Sequence, residues 1–82
     1  MPNGDVIRLK IYPQYFDAIN AGTKTYEVRK RCRAQAGDTL ELLNTETGKF
    51  LYVRVLDRLD FPNWYIKHSE PFCVFAIEKI NS

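Results

Sequence analysis

Apolar and polar residues alternate along most of this chain. From Asp5 to Tyr12, the apolar residues Ile7, Leu9 and Ile11 alternate with Val6, Arg8 and Lys10, and this period of two predicts a strand whose odd-numbered side chains face the core. Similar patterns predict four later strands, at Lys24–Arg31, Thr39–Leu43, Lys49–Arg58 and Phe72–Ile80. The last segment is apolar on both faces as far as Ile77, which predicts a position in the interior of a sheet.

A short helix is predicted between the first two strands, from Pro13 to Ala21. Proline suits the first helical position, where a missing N–H costs nothing, and Gly22 suits the left-handed residue that ends a helix. Within it, Tyr15, Phe16 and Ile19 form an apolar stripe that is expected to face the core.

Five strands and one helix predict a mostly β fold with one short helix (α+β), a small and mostly antiparallel β-barrel of about five to six strands. Closing the sheet removes exposed strand edges, which a small domain can rarely protect otherwise. The length of 82 residues predicts a single domain over residues 1–82. Asn44–Gly48 is expected to be a hairpin loop, and Gly37-Asp38 a turn into the third strand.

Composition excludes several classes of protein. A hydrophobic content of 45% and an aromatic content of 13% are typical of a packed core rather than of a disordered chain. The sequence has no run of 18 apolar residues, so it predicts no membrane span. The first residues do not resemble a signal peptide, and a cytoplasmic location is therefore expected. Cys32 and Cys73 are expected to be free thiols. The sequence has one histidine and no Cys-x-x-Cys or His-x-His spacing, so no metal site is expected. No cofactor is expected either.

Positive charge is concentrated in one segment. Residues 23–36 have a formal net charge of +4, whereas the other residues together carry −2. The five cations that produce this excess are Lys24, Arg29, Lys30, Arg31 and Arg33. Such focusing favours an anionic partner, nucleic acid first, although a solvated basic loop has the same composition.

The second predicted strand places unlike residues on its two faces. Tyr26 and Val28 are predicted to face the core, while Thr25, Glu27 and Arg29 share the other face, next to Lys24. This second face is either a binding surface or an exposed ion pair, which contributes about 0–1 kcal/mol.

The spacing Gly22-x-Lys24-x-x-Glu27-x-Arg29 is similar to the G-x-K-x-x-E-x-R signature of ASCH domains, a branch of the PUA-like barrels. The order of strand, short helix, signature and Gly-Asp turn also resembles that family over nearly the whole chain, in its small stand-alone bacterial form. The resemblance implies a cleft between the helix and the signature strand that binds RNA, nucleotides or modified bases. It also implies that Lys24, Glu27 and Arg29 line this cleft.

The chemistry of these side chains agrees with a nucleotide ligand. Arg29 offers a planar fork and Lys24 a point charge for phosphate, and Glu27 can accept a hydrogen bond from an exocyclic amine. Lys30, Arg31 and Arg33 are expected to extend the positive surface along an RNA backbone. Trp64 is expected either to stack on a base or to plug one end of the barrel.

The sequence therefore predicts an RNA- or nucleotide-binding domain with no membrane association. It does not predict the oligomeric state. One alternative is a small amidohydrolase acting on a modified nucleoside such as N4-acetylcytidine. ASCH-like amidases have a threonine nucleophile where this chain has Glu27, which argues against an enzyme and leaves Thr25 as the substitute nucleophile. A third alternative is a protein-interaction module in transcription or translation.

Overall fold

A computed structural model describes residues 4–62 and 70–80, which form five strands and one helix. In chain order the elements are β1 (Val6–Ile11), α1 (Pro13–Ala21), β2 (Tyr26–Arg29), β3 (Thr39–Asn44), β4 (Phe50–Phe61) and β5 (Phe72–Lys79). The helix has the predicted bounds. The second strand is shorter than predicted by two residues at each end, and the fourth extends three residues further.

The strands form one sheet with the order β1-β3-β4-β5-β2. The first pair, β1 with β3, is parallel, and the other three pairs are antiparallel. A register shift between Val55 and Asp57 marks a bulge between β4 and β5, and bulges increase the local twist of a sheet. The interior position predicted for β5 is confirmed. The predicted mostly β fold with one short helix is confirmed. The sheet is a half-barrel rather than the closed barrel expected, because β1 and β2 lie at the two ends of this order.

The core lies on the concave side of the sheet. Leu40 and Leu42 of β3, Val53 of β4 and Phe75 of β5 are fully buried, and each buried side chain of this size contributes about 1.5–3 kcal/mol. The predicted inward face of β1 is confirmed, since Ile7 and Ile11 are buried and Leu9 packs against the same cluster.

The helix covers part of this core with a narrower apolar stripe than predicted. Phe16 and Ile19 are buried, but Tyr15 is 44% exposed, so its assignment to the core is wrong. Its ring lies beside the start of β2, below the ammonium of Lys24, rather than against the sheet.

Two loops are stabilised by side-chain acceptors. The Asp38 carboxylate accepts hydrogen bonds from the backbone N–H groups of Asp5 and Gln35, which fixes the turn before β3. Asn44 is buried, and its Oδ1 accepts from the N–H groups of Glu46 and Thr47 at 2.9 and 3.2 Å. Asparagine is common at such turns because its side chain replaces a backbone acceptor.

Both cysteines are free thiols, as predicted. Cys73 is buried in β5, where its Sγ donates a hydrogen bond to the carbonyl of Arg29 at 3.2 Å. Burial raises the pKa of this thiol above its ordinary value. The one helix of the described part of the chain is too short to cross a membrane.

Candidate functional site

The corner between α1 and β2 places Lys24. Gly22 has a φ of 83°, in the left-handed region that glycine occupies without strain. The backbone N–H groups of Thr23 and Lys24 both donate to the carbonyl of Ala18, at 3.0 and 3.1 Å. Because these bonds tie the chain back onto the last turn of the helix, the Lys24 side chain starts from a fixed backbone position.

Lys24, Glu27 and Arg29 form one ionic cluster, in which two partly buried cations surround a buried carboxylate. Lys24 Nζ donates to Glu27 Oε1 at 2.7 Å, and Arg29 Nε donates to Glu27 Oε2 at 2.7 Å. Glu27 is only 4% exposed, so both of its oxygens are used inside the protein. A carboxylate tolerates this burial when it is paired and hydrogen-bonded on both sides.

Arg29 also spans the open side of the half-barrel. Its Nη2 donates to the backbone carbonyl of Lys10 in β1 at 2.7 Å. The two edge strands are therefore joined by a side chain where a closed barrel would have a backbone ladder. The cluster occupies the gap in the sheet and forms the floor of a cleft.

This arrangement corrects the predicted faces of β2. Tyr26 and Val28 are 51% and 49% exposed, whereas Glu27 is buried, so the prediction that Tyr26 and Val28 face the core is wrong. The prediction assumed that the apolar residues of the strand are the buried ones. Here Lys24 and Arg29 neutralise the inward carboxylate, so the polar face of the strand points inward instead.

The cleft has a volume of about 1020 Å³ and lies between the ends of β1, α1 and β2. Among the described residues, four cations and one carboxylate line it, which gives its wall a formal net charge of +3. The cations are Lys10, Lys24, Arg29 and Lys30, and the carboxylate is that of Glu27.

Three tyrosines stand around the cleft. Tyr12 is 66% exposed and packs edge-to-face against Tyr15, with ring centroids 6.0 Å apart. The Lys24 ammonium lies 5.2 Å from the ring centre of Tyr15 and 4.9 Å from that of Tyr26. The cleft therefore combines accessible aromatic rings with a cationic floor.

The other predicted basic residues differ in their placement. Lys30 lines the cleft, but Arg31 and Arg33 do not. Lys30 and Arg31 pair with Glu70 at 2.8 and 3.7 Å, and Arg33 pairs with Asp5 at 3.0 Å. Acidic neighbours therefore compensate part of the basic segment, and positive charge is concentrated at the cleft rather than along a path.

Two further predicted site residues lie outside this arrangement. Thr25 is exposed and does not line the cleft, and its carbonyl accepts from the N–H of Ile77 at 3.0 Å. Trp64 lies outside the described residues. Within the described part of the chain, no group of three potential ligands is arranged to hold a metal ion.

Residues 6–77 match the family model described as a domain of unknown function, DUF3850. The chain belongs to the DUF3850 family. No curated protein matches its sequence significantly.

Several solved structures of other proteins are similar in fold to this DUF3850 domain. A serine-to-alanine variant of the ASCH protein from Zymomonas mobilis has a TM-score of 0.73 and 16% identity, and the match covers 99% of this chain and 77% of that one. The ASCH structure from the same organism has a TM-score of 0.67 and 16% identity, over 93% and 73% of the two chains. The hypothetical protein PH0355 has a TM-score of 0.65 and 18% identity, over 93% and 99%. The DUF3850 domain therefore has an ASCH-like fold of the PUA-like type.

Lys10, Tyr12 and Tyr15 line the cleft, although no sequence pattern predicted them there. Each lies close to the point where β1 passes into α1, and the chain doubles back there to face β2. Tyr12-Pro13 was a usable signal for Tyr12, since the residue before a helix-starting proline is extended and lies outside the helix.

Proposed function

We propose that this DUF3850 domain binds a nucleotide or a short single-stranded RNA in the cleft between α1 and β2. The observation that carries the proposal is the combination of three accessible tyrosines with a cleft wall of net charge +3. Single-stranded nucleic acids are commonly bound by aromatic rings that stack on bases and by cations that contact the backbone.

The stacking part of the proposal is tested at Tyr12. Its ring is the most exposed of the three, so Tyr12→Ala removes a stacking surface while leaving the core intact. Stacking contributes about 1–3 kcal/mol per base, so we expect affinity to fall by about 5- to 150-fold. The measurement is fluorescence anisotropy with labelled octauridylate and octaadenylate, and competition by the corresponding nucleoside monophosphates distinguishes RNA from free nucleotide.

Tyr52 provides the matched control. It is 43% exposed, similar to Tyr15, but it lies on β4, where its hydroxyl donates to Glu41 at 2.9 Å, away from the cleft. Tyr52→Ala is expected to leave affinity within twofold of the wild type. Equal losses in the two variants, or none in either, would contradict binding in the cleft.

The charge part of the proposal is tested by salt dependence. Each phosphate contact on a single strand contributes a slope of about −0.7 to log K against log salt. We expect Lys30→Ala to reduce the slope by about one contact, because Lys30 lines the cleft. Arg33→Ala is expected to leave it unchanged, since Arg33 is ion-paired like Lys30 but lies outside the cleft. Binding that does not weaken as salt rises would contradict the charge part of the proposal, and failure to bind RNA would favour the protein-interaction alternative.

We propose that the domain binds its ligand but does not hydrolyse a modified nucleoside. At the position of the nucleophile in amidase relatives, this chain has the Glu27 carboxylate, and both of its oxygens are held by cations. A carboxylate attacking an amide would have to form an anhydride, which is poor chemistry near neutral pH. We expect no acetate release from N4-acetylcytidine. Robust turnover that is lost in Lys24→Ala would contradict this expectation.

A further inference from the structure

The floor of the cleft offers hydrogen-bond donors and very little acceptor surface. Lys24 Nζ uses two of its three N–H groups, on Glu27 Oε1 and on the carbonyl of Tyr26. Arg29 uses Nε and Nη2, on Glu27 and on the carbonyl of Lys10. Arg29 Nη1 donates to no acceptor among the described residues, and near the remaining N–H of Lys24 these residues place the rings of Tyr15 and Tyr26.

The carboxylate of Glu27 is not available to accept hydrogen bonds from the ligand. Its side chain is 6% exposed and each oxygen already accepts from a cation at 2.7 Å. An exocyclic amine of a base would have to reach a buried oxygen and compete with a charged donor there. The expectation that Glu27 reads a base edge is therefore disfavoured by the geometry.

We infer, building on the proposed function, that the floor of the cleft is a phosphate subsite. The remaining donors of Lys24 and Arg29 bind the phosphate oxygens, while the tyrosines of the upper wall contact the base or the sugar. Two cations and one carboxylate give the floor a net charge of +1, which attracts an anion. Because Nε and Nη2 of Arg29 are already bonded, the two hydrogens of Nη1 are the ones left to donate to phosphate oxygens, and the Lys24 ammonium adds a point charge.

The phosphate subsite predicts a ligand that is recognised through its backbone rather than through its base. The phosphate belongs either to a free nucleotide or to the chain of an RNA, and the two sources present the same oxygens to Lys24 and Arg29. Binding is consequently tolerant of base identity, since any base has a π face for the tyrosines.

The test uses the wild-type domain and the dinucleotide UpU, which contains one phosphodiester and so has no alternative register. Affinities for UpU, its uncharged methylphosphonate analogue and uridine are measured from chemical-shift changes of the amides of β2. We expect the methylphosphonate to bind at least tenfold more weakly than UpU, at the level of uridine. Uridine monophosphate, measured beside UpU, distinguishes a free nucleotide from an RNA chain as the source of the phosphate.

Lys24→Met provides the second measurement, because it removes the charge and keeps an unbranched apolar stem. It is expected to abolish the difference between UpU and the methylphosphonate, whereas Arg33→Ala, outside the cleft, retains it. Equal binding of UpU and its methylphosphonate by the wild type would overturn the phosphate subsite. If octauridylate binding still depended on Tyr12 in that case, the proposed function would stand and the floor would hold a base.

Discussion

Replacing Glu27 by glutamine is the sharpest test of the ionic cluster. The substitution keeps the shape of the side chain and removes its charge, which leaves Lys24 and Arg29 facing one neutral amide. In the wild type the two cations contact different oxygens of the same carboxylate, at 2.7 Å each. The glutamine oxygen can accept from one of them, but its NH₂ group meets the donors of the other.

The magnitude follows from the burial of the three side chains. Removing one partner of a buried ion pair costs about 3–5 kcal/mol, and this range is reduced here because Arg29 is partly exposed. Two unit charges about 5 Å apart repel by about 3 kcal/mol at an effective dielectric constant of about 20. We therefore expect Glu27→Gln to lower the free energy of unfolding by about 2–4 kcal/mol. In a domain of this size, where 1 kcal/mol shifts Tm by about 4–8 °C, that corresponds to a fall in Tm of about 8–32 °C.

The assay is urea denaturation followed by circular dichroism, with Glu70→Gln as the matched control. Glu70 also pairs with a lysine and an arginine, at 2.8 and 3.7 Å, but its side chain is 55% exposed. A much smaller loss is expected there, since exposed pairs are screened by solvent. Adding Lys24→Met to Glu27→Gln should restore part of the stability by removing the repulsion. Similar losses in the two glutamine variants would refute the reasoning.

Three further outcomes are expected. Burial raises the pKa of the Cys73 thiol, so iodoacetamide at pH 8 should label Cys32 well before Cys73, as mass spectrometry of the native protein would show; equal rates would contradict this. Pairing with Lys30 lowers the pKa of Glu70. The ion pair therefore stabilises the fold above the ordinary carboxyl pKa, and this stabilisation is lost as the pH falls through the lowered pKa of Glu70. Lys30→Ala should raise the pKa of Glu70 in an NMR titration. Asn44→Ala removes the acceptor of two backbone N–H groups and should cost about 1–2 kcal/mol in urea denaturation, whereas no loss would mean that water replaces the amide.

Local sequence was sufficient for the elements and for most of the core. Proline at the start and glycine at the end bound the helix because each acts through its own backbone, independently of the rest of the fold. The inward face of β1 followed from alternation, because its buried side chains, Ile7 and Ile11, are aliphatic and one period of two fits them. The signature Gly22-x-Lys24-x-x-Glu27-x-Arg29 also located the polar cluster of the cleft.

Tertiary structure decided which face of β2 points inward. Alternation defines two faces but not their direction, and the usual rule that apolar residues are buried fails where a carboxylate lies between two cations. Those cations come from the corner after the helix and from the strand itself. Only their distances of 2.7 Å to Glu27 show that the buried charge is compensated.

Tertiary structure also decided that the barrel stays open and that its gap is the cleft. The strand order puts β1 and β2 at opposite ends of the sheet, and the Arg29 guanidinium joins them by donating to the Lys10 carbonyl. Tyr12 and Tyr26 are 14 residues apart in the chain, yet they line the same cleft because the helix brings the end of β1 to the start of β2. The sequence by itself determined the local elements and the types of side chain at the site, since these depend on neighbours in the chain. The cleft depends on long-range pairing, which only the folded chain defines.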